Sequence, residues 1–569
     1  MKFTAIAIAV IVLFAAAIQP HAEPYVITSD SIHKHIAVLA HDSLEGRRVG
    51  EVGEWKAADY IIAELQQIGL VPGGDDGGWR QAFEFIKNIE LGASIRLAVN
   101  GTELQLRDDF EPFTQSGSMS FSFDSVVPVG FGITDDGGFY DDYEDKDVAG
   151  KAVLIARYAP EDTAAYPHTD FNLYSSITDK IRNALDHNVA GIFFYTPPTQ
   201  DDTLVMMSAT RANPKEVPIV YLRRTAMQSL GIDITDPTPF AAEGRVELIT
   251  VRDTGYNVVG VLPGQTDTAI IIGAHYDHLG WGGPGSGSRY LGEETMIHNG
   301  ADDNGSGTSA LVELAHYFAA RRDSIHHSMV FAAFSGEEAG LLGSSHYSRS
   351  MPESTAVRMM INMDMIGRLR DQESGLAIFG TGTATQFAAF FDTLTSDQIK
   401  LTSKESGTGP SDHTAFYNRG IPVLHFFTGA HNDYHKPQDD VELIDSDGIV
   451  RVADIIRSVV DYFDSYPEPL AFQKTKAPDQ GRMSFSVTLG IMPDYIAEVK
   501  GLRVDGVSPG RPGERAGLVE GDIIVKMGEY VIDDIYAYMN ALGKFRKGDS
   551  IVVVVERDGQ SVNLDVVFE

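Results

Sequence analysis

SMVFAAFSGEEAGLLGSSHY, residues 328–347, decides the fold. The short apolar run SMVFAAF reads as a strand, and GEEAGLLGSSHYSR after it reads as a helix opening at Gly336. Two adjacent glutamates, Glu337 and Glu338, stand at that strand-to-helix turn. Working outward, NVVGVLPG (257–264) and AIIIGAHY (269–276) are strands, and GSGTSALVELAHYFAARR (305–322) is a helix. VRMMINMDMIG (357–367) and GIPVLHFF (420–427) are further strands, and VRVADIIRSVVDYF (450–463) is a closing helix. Strands alternating with helices predict an α/β fold, a mixed central sheet with helices on both faces.

The chemistry-bearing residues fall just after these strands or in their connecting loops, where open α/β sheets bind ligands. They are His275 in AHYDH, Asp303 in GADDNGSG, Glu338 in FSGEEAG, Asp364 in INMDMIG and His435 in YHKP. Each has a bland alternative: a strand-end histidine, a helix N-cap, or a glutamate favoured by a helix dipole. A carboxylate inside an apolar strand, as at Asp364, is costly without a partner. Five such residues in order favour a metal centre over the separate alternatives. The set suits two zinc ions joined by one carboxylate, with Glu337 spare to handle a proton. Cysteine, which a structural zinc site favours, is absent, and so is HExxH. Asp277, two residues beyond His275, is placed to accept the other ring N–H of that histidine. His278 is a competing ligand. Tyr434, beside His435, can donate to an oxyanion. Ser411, Asp412 and His413 make a further polar patch, but no GxSxG elbow supports a Ser-His-Asp triad.

The flanks are organised differently. Residues 31–70 read as two helices around the loop HDSLEGRRVG. Between 116 and 250, SVVPVGFGI, KAVLIARY, AGIFFYT and VPIVYLRR read as strands, and KIRNALDHNV reads as a helix. Residues 466–485 lack periodicity and read as a linker. About 85 residues follow, with LGIM, GLRVDGV, GDIIVKMG and SIVVVVERDG as strands and IDDIYAYMNALG as a helix.

A chain of 569 residues is too long for one ordinary domain. Its net charge of −35 argues against nucleic-acid or anionic-membrane partners. Lys2 followed by an apolar run to Ile18 reads as a secretory signal peptide over residues 1–22, with cleavage after Ala22 or Ala17. No other segment reaches transmembrane length. A secreted chain without cysteine fits a bacterial periplasm or exterior.

The five motifs resemble those of the co-catalytic di-zinc aminopeptidases, in the superfamily that includes transferrin receptor and glutamate carboxypeptidase. The likeness covers about residues 31–465. EGRRVG with AADYIIAELQQIGL resembles the N-terminal segment of that family. The resemblance implies a di-zinc peptidase domain over 23–115 and 251–465, with a β-rich protease-associated insert at 116–250. The last part, 486–569, resembles a PDZ domain whose LGIM loop binds a carboxylate. The resemblance further implies one zinc on Asp303, Glu338 and His435 and a second on His275, Asp303 and Asp364. Glu337 would be the general base and acid, Asp277 a support and Tyr434 a transition-state donor. A cis peptide after Asp303 is also implied. The expected activity is release of N-terminal residues from peptides by a secreted enzyme. A C-terminal peptide is the expected ligand of the PDZ-like part. The rivals are a carboxypeptidase or dipeptidase, using Arg368 and Arg370, and a receptor-like binding protein with a dead site.

Overall fold

A computed structural model describes residues 25–568, apart from 136, 161–165, 167, 170, 204–213, 284–285, 291, 293, 353–354, 370–374, 397, 476–486, 494–498, 508–509, 534 and 558. The expected signal peptide and Arg370 lie outside the described residues, as does the second half of the expected linker. Among the described residues, no helix is long and apolar enough to cross a membrane.

The central sheet is mixed. Its heart is Thr266–His275, which lies between His327–Phe334 and Val357–Met363 and is parallel to both. Val423–Phe427 continues the parallel run beyond Val357–Met363. Antiparallel strands complete the sheet on either side, among them Leu248–Leu262 and Leu376–Phe379. The central strands are apolar without alternation because both faces are covered. One face meets the helices Ser29–Leu39, Val52–Gln67, Gly307–Ala319 and Ser446–Ser465 in a single core. The other meets Leu342–Ser350 and His413–Tyr417 through Phe334, Tyr347 and Phe416. Register sets the chemistry: His275 lies opposite Phe334, and Gly273 opposite Asn362. Parallel strands in this register bring the loops after His275, Phe334 and Met363 to one edge.

The helix expected to open at Gly336 begins instead at Leu342. Gly336, Gly340 and Leu341 all have positive φ, which no regular helix accommodates. Glu337 and Glu338 therefore sit in a tight turn, closed by the N–H of Gly340 donating to the Glu337 carbonyl at 2.8 Å.

A second sheet has its own parallel core: Ser120–Pro128, Ala152–Ala156, Gly191–Tyr195 and Ile219–Leu222. Its pairing reaches back before residue 116, taking in Arg96–Val99, Thr102–Leu104 and Phe110–Pro112. The helix Ile177–Asp186 covers one face. A long antiparallel ribbon, Arg80–Leu91 against Leu248–Leu262, joins this sheet to the central one. A third, antiparallel sheet runs through Ile491–Pro493, Leu502–Val507, Ile523–Met527, Ser550–Arg557 and Gln560–Val567. It has a separate core and the helix Ile535–Leu542.

Candidate metal centre

Five side chains converge at the loop edge of the central sheet. His275 Nε2 lies 3.2 Å from Asp364 Oδ1 and 3.4 Å from Asp303 Oδ1. His435 Nε2 lies 3.3 Å from Asp303 Oδ2 and 3.2 Å from Glu338 Oε2. Two ligand atoms each about 2.0–2.2 Å from a zinc ion, at the tetrahedral angle, stand about 3.3 Å apart. All four separations match that edge. Asp303 turns one oxygen to each histidine, the arrangement a bridging carboxylate needs. Glu337 groups with His275 and Asp364, while His278 groups with Asp303 and Glu338.

The site concentrates charge out of water. Burial, reinforced by Glu338, Asp364 and Asp412, holds the Glu337 carboxyl well above its usual range against the pull of His275. Burial likewise raises Asp277 and lifts Asp412 to about 6. Burial would raise Glu338 too, but His435 and His278 hold it well below. Glu338 Oε1 and His278 Nδ1 face each other at 2.7 Å, while Asp277 Oδ2 and His278 Nε2 are buried without a hydrogen-bond partner. Buried acceptors and charges of this kind are costly unless a cation or donor meets them. The nitrogen and oxygen donor set, the edge lengths and these orphaned atoms fit a pair of zinc ions.

Each of the two histidines is aimed by a neighbour. The Nδ1 of His435 lies 3.0 Å from the Gly287 carbonyl, and that of His275 lies 3.2 Å from the Asp277 carbonyl. With Nδ1–H donating there, each Nε2 is left free to face the carboxylates. Here the structure corrects the expectation for Asp277. Its main chain, not its carboxylate, meets His275, whose ring nitrogen is 3.7 Å from Oδ1. The Asp277 carboxylate instead accepts the Glu337 N–H at 3.1 Å, so it steadies the turn that holds the spare carboxylate. Tyr434 stacks on His435 with ring centroids 3.8 Å apart. Burial, and then the charges of Asp303, Glu338, Glu337 and Asp364, push its hydroxyl well above its ordinary range. The Ser411 hydroxyl donates to Asp364 Oδ2 at 2.8 Å and His413 stacks on His425, so the patch around Asp412 forms no triad.

Two braces were not singled out in the sequence. Asp439 accepts the N–H groups of Asp302 and Asp303 at 3.0 and 3.1 Å. Arg47, fully buried, donates to the carbonyls of Tyr276, Asn299 and Gly300 at 2.7, 2.6 and 3.0 Å. It ties the His275 loop to the Asp303 loop. Asp439 lies in HNDYHKPQDD and Arg47 in EGRRVG, but neither pattern says which polar residue turns inward. The Asp303–Asn304 peptide is cis. A cleft of about 320 Å³ opens beside Glu338 and His278, walled by Arg48, Phe85 and Leu279.

Comparison with known proteins bears on this geometry. The family model Peptidase family M28 matches residues 257–460. The chain is 24% identical over 326 residues to aminopeptidase YwaD of Bacillus subtilis, covering 55% of this chain and 62% of that protein. It is 26% identical over 226 residues to a probable leucine aminopeptidase of Trichophyton verrucosum, covering 38% of this chain and 59% of that one. It thus spans about three fifths of these curated relatives. Among solved structures it is similar to the aminopeptidase from Aneurinibacillus sp. strain AM-1, at 22% identity and a TM-score of 0.47, covering 79% of this chain and 97% of that one. The family-model match, residues 257–460, contains every one of the predicted site residues.

Proposed function

We propose that this protein is a secreted zinc aminopeptidase that hydrolyses N-terminal residues from peptides. The observation that carries the reading is Asp303, whose two carboxylate oxygens lie 3.4 and 3.3 Å from His275 and His435. One metal position would use His275, Asp303 and Asp364, and the other Asp303, Glu338 and His435. Zinc held there supplies Lewis acidity to a substrate carbonyl and lowers the pKa of water. Glu337, buried beside His275 and Asp364, takes the proton of the attacking water. The same carboxyl, held high by its surroundings, then returns that proton to the leaving amine. Tyr434 donates to the carbonyl oxygen as negative charge develops on it. Asp277 keeps the Glu337 turn in register.

Arg368 counts against a carboxypeptidase. Its guanidinium is buried and lies 3.3 Å from both Asp433 and Asp439, so it braces the His435 loop instead of facing a substrate carboxylate. The test is a panel of free, N-blocked and C-blocked peptides with metal analysis on the same sample. We expect two zincs per chain and cleavage only of peptides with a free N-terminus. Cleavage of N-blocked substrates at equal rates would overturn the reading.

The C-terminal sheet supports a second role. Among the described residues, Ile491–Pro493 pairs only with Leu502–Val507, which leaves an edge able to take an extended peptide by strand addition. Removing residues 470–569 should then impair cleavage of long peptides and spare that of dipeptide amides. Equal loss on both would favour a packing role.

A further inference from the structure

Glu54 is a fully buried carboxylate near the start of the helix Val52–Gln67, and it has no part in the steps proposed above. Its Oε2 accepts the Gly50 N–H at 2.7 Å, as an acidic residue in a first helical turn does for the chain leading into it. Capping of that kind leaves Oε1 unexplained. Oε1 accepts the Ser335 hydroxyl at 2.6 Å and the Tyr256 N–H at 3.1 Å, and lies 3.2 Å from the Tyr276 hydroxyl. These partners are uncharged, and a buried carboxylate is costly to keep. Ser335 is the residue that the strand His327–Phe334 delivers to the turn of Glu337 and Glu338. Each of its polar groups is held by a different element. The hydroxyl donates to Glu54, the N–H donates to Asn257 Oδ1 at 3.1 Å, and the carbonyl accepts the Gly343 N–H at 2.9 Å. One carboxylate oxygen thus joins the root of the glutamate turn to Tyr276, the neighbour of His275.

We propose that Glu54 is a positioning residue for hydrolysis, acting through Ser335 to hold the Glu337 carboxylate in place. This rests on the reading of Glu337 as the base. The turn is pinned on both sides of one joint. Ahead of the joint stands Ser335 on Glu54; beyond it the Glu337 N–H donates to the Asp277 carboxylate at 3.1 Å. The joint is Gly336, with φ +70, a residue that does little to fix its own conformation. With the Ser335 contact gone, Gly336 lets the carboxylate drift, and misplacing a reacting group by about 1 Å can cost on the order of 100-fold in rate. Glu337 takes the proton and does not grip the peptide, so the loss falls on kcat and spares KM.

Ser335→Ala and Glu54→Gln, alone and together, test this in the zinc-loaded full chain, with peptide hydrolysis, zinc content and thermal unfolding measured for each. Ser335→Ala removes only the hydroxyl. The amide of Glu54→Gln keeps the shape, but whichever way it turns an N–H meets another donor. Each single variant should keep its zinc and a KM within about twofold of wild type, and lose on the order of 10–100-fold in kcat. The double variant should fall no further than the worse single one, because both substitutions break the same contact. A merely structural contact would lower the unfolding temperature and leave kcat of the folded, zinc-loaded protein unchanged. That outcome overturns the assignment, as do loss of zinc, a raised KM at unchanged kcat, or additive losses in the double variant. If Glu54→Gln does not fold, Ser335→Ala decides alone. Glu337→Gln assayed beside them separates the two claims. If it is inactive while Ser335→Ala is normal, only the positioning role falls; if it is near normal, the base falls and the proposal with it.

Discussion

Two sheets in this molecule have parallel cores, and their strand ends treat buried charge in opposite ways. In the second sheet, Arg157 follows Ala152–Ala156 and donates to the Thr196 hydroxyl and the Thr203 carbonyl, each at 3.1 Å. Lys180, buried below it, donates to the carbonyls of Ala156 and Tyr158 at 2.6 and 2.5 Å. Those cations are matched by the chain itself. At the central sheet, Asp277 Oδ2 and His278 Nε2 are buried with no hydrogen-bond partner. An unmet buried polar group costs about 1–3 kcal/mol, and more when charged. Both sheets offer the topology for a ligand site; among the described residues, only the central one leaves a deficit that a cation would fill.

The contrast can be broken by substitution, and the largest effect is expected at its focus. Asp303→Ala removes the carboxylate common to both positions, so both zincs should be lost and turnover should fall to background. Metal analysis beside a peptide assay checks this, and retention of two zincs would remove Asp303 from the shared role. Glu337→Gln should keep both zincs and lower kcat by about 10²–10⁴-fold, the usual scale for a general base. Near-normal turnover would move the proton elsewhere. Arg47→Lys keeps a cation but cannot span three carbonyls, and should weaken metal binding on the order of 10–100-fold. Chelator competition measures that loss.

The smallest effect belongs to the second sheet. Lys180→Met should leave dipeptide hydrolysis intact and change only stability. Burial lowers the Lys180 amine to about 7 from an unfolded value of 10.5. Below about pH 7 both states hold the proton and the folded protein bears the full cost of burying it. Between about 7 and 10.5 the unfolded chain binds more protons, so wild type should gain stability as pH rises. Melting curves of wild type and variant should therefore diverge in favour of wild type across that range. A constant gap would mean that Lys180 keeps its charge.

The residues in compact motifs were legible in the sequence. AIIIGAHY and SMVFAAF announce buried strands, and His275, Glu338 and Asp364 stand where such strands end. The structure gathers Asp303 and His435 with them from more distant loops. What stayed hidden depends on contacts across hundreds of positions. Arg47 reads like any surface arginine until its loop is seen against Tyr276 and Gly300, more than 220 residues away. Asp277 was legible as a neighbour of His275 but not as one that meets it through its carbonyl. The late start of the helix at Leu342 was hidden because positive φ at a leucine has no signature in composition. The strands before residue 116 look alike whichever sheet they join, since pairing partners are not written in a short apolar run.

The backbone from Glu45 to Arg47 is left-handed at three consecutive positions, with φ of 50, 67 and 51°. At its centre a Cβ on Gly46 would fall 2.4 Å from the His298 carbonyl oxygen and 2.7 Å from that of Gly280. This stretch is wedged between two loops of the 257–460 segment although it precedes that segment by some two hundred residues. The consequence concerns inheritance and engineering. The matched segment is not a portable cassette: a chimera that transplanted 257–460 alone would carry every candidate ligand and leave behind the keystone between their loops. Gene fusions and recombination events that preserve function have to move both pieces together, whatever is inserted between them.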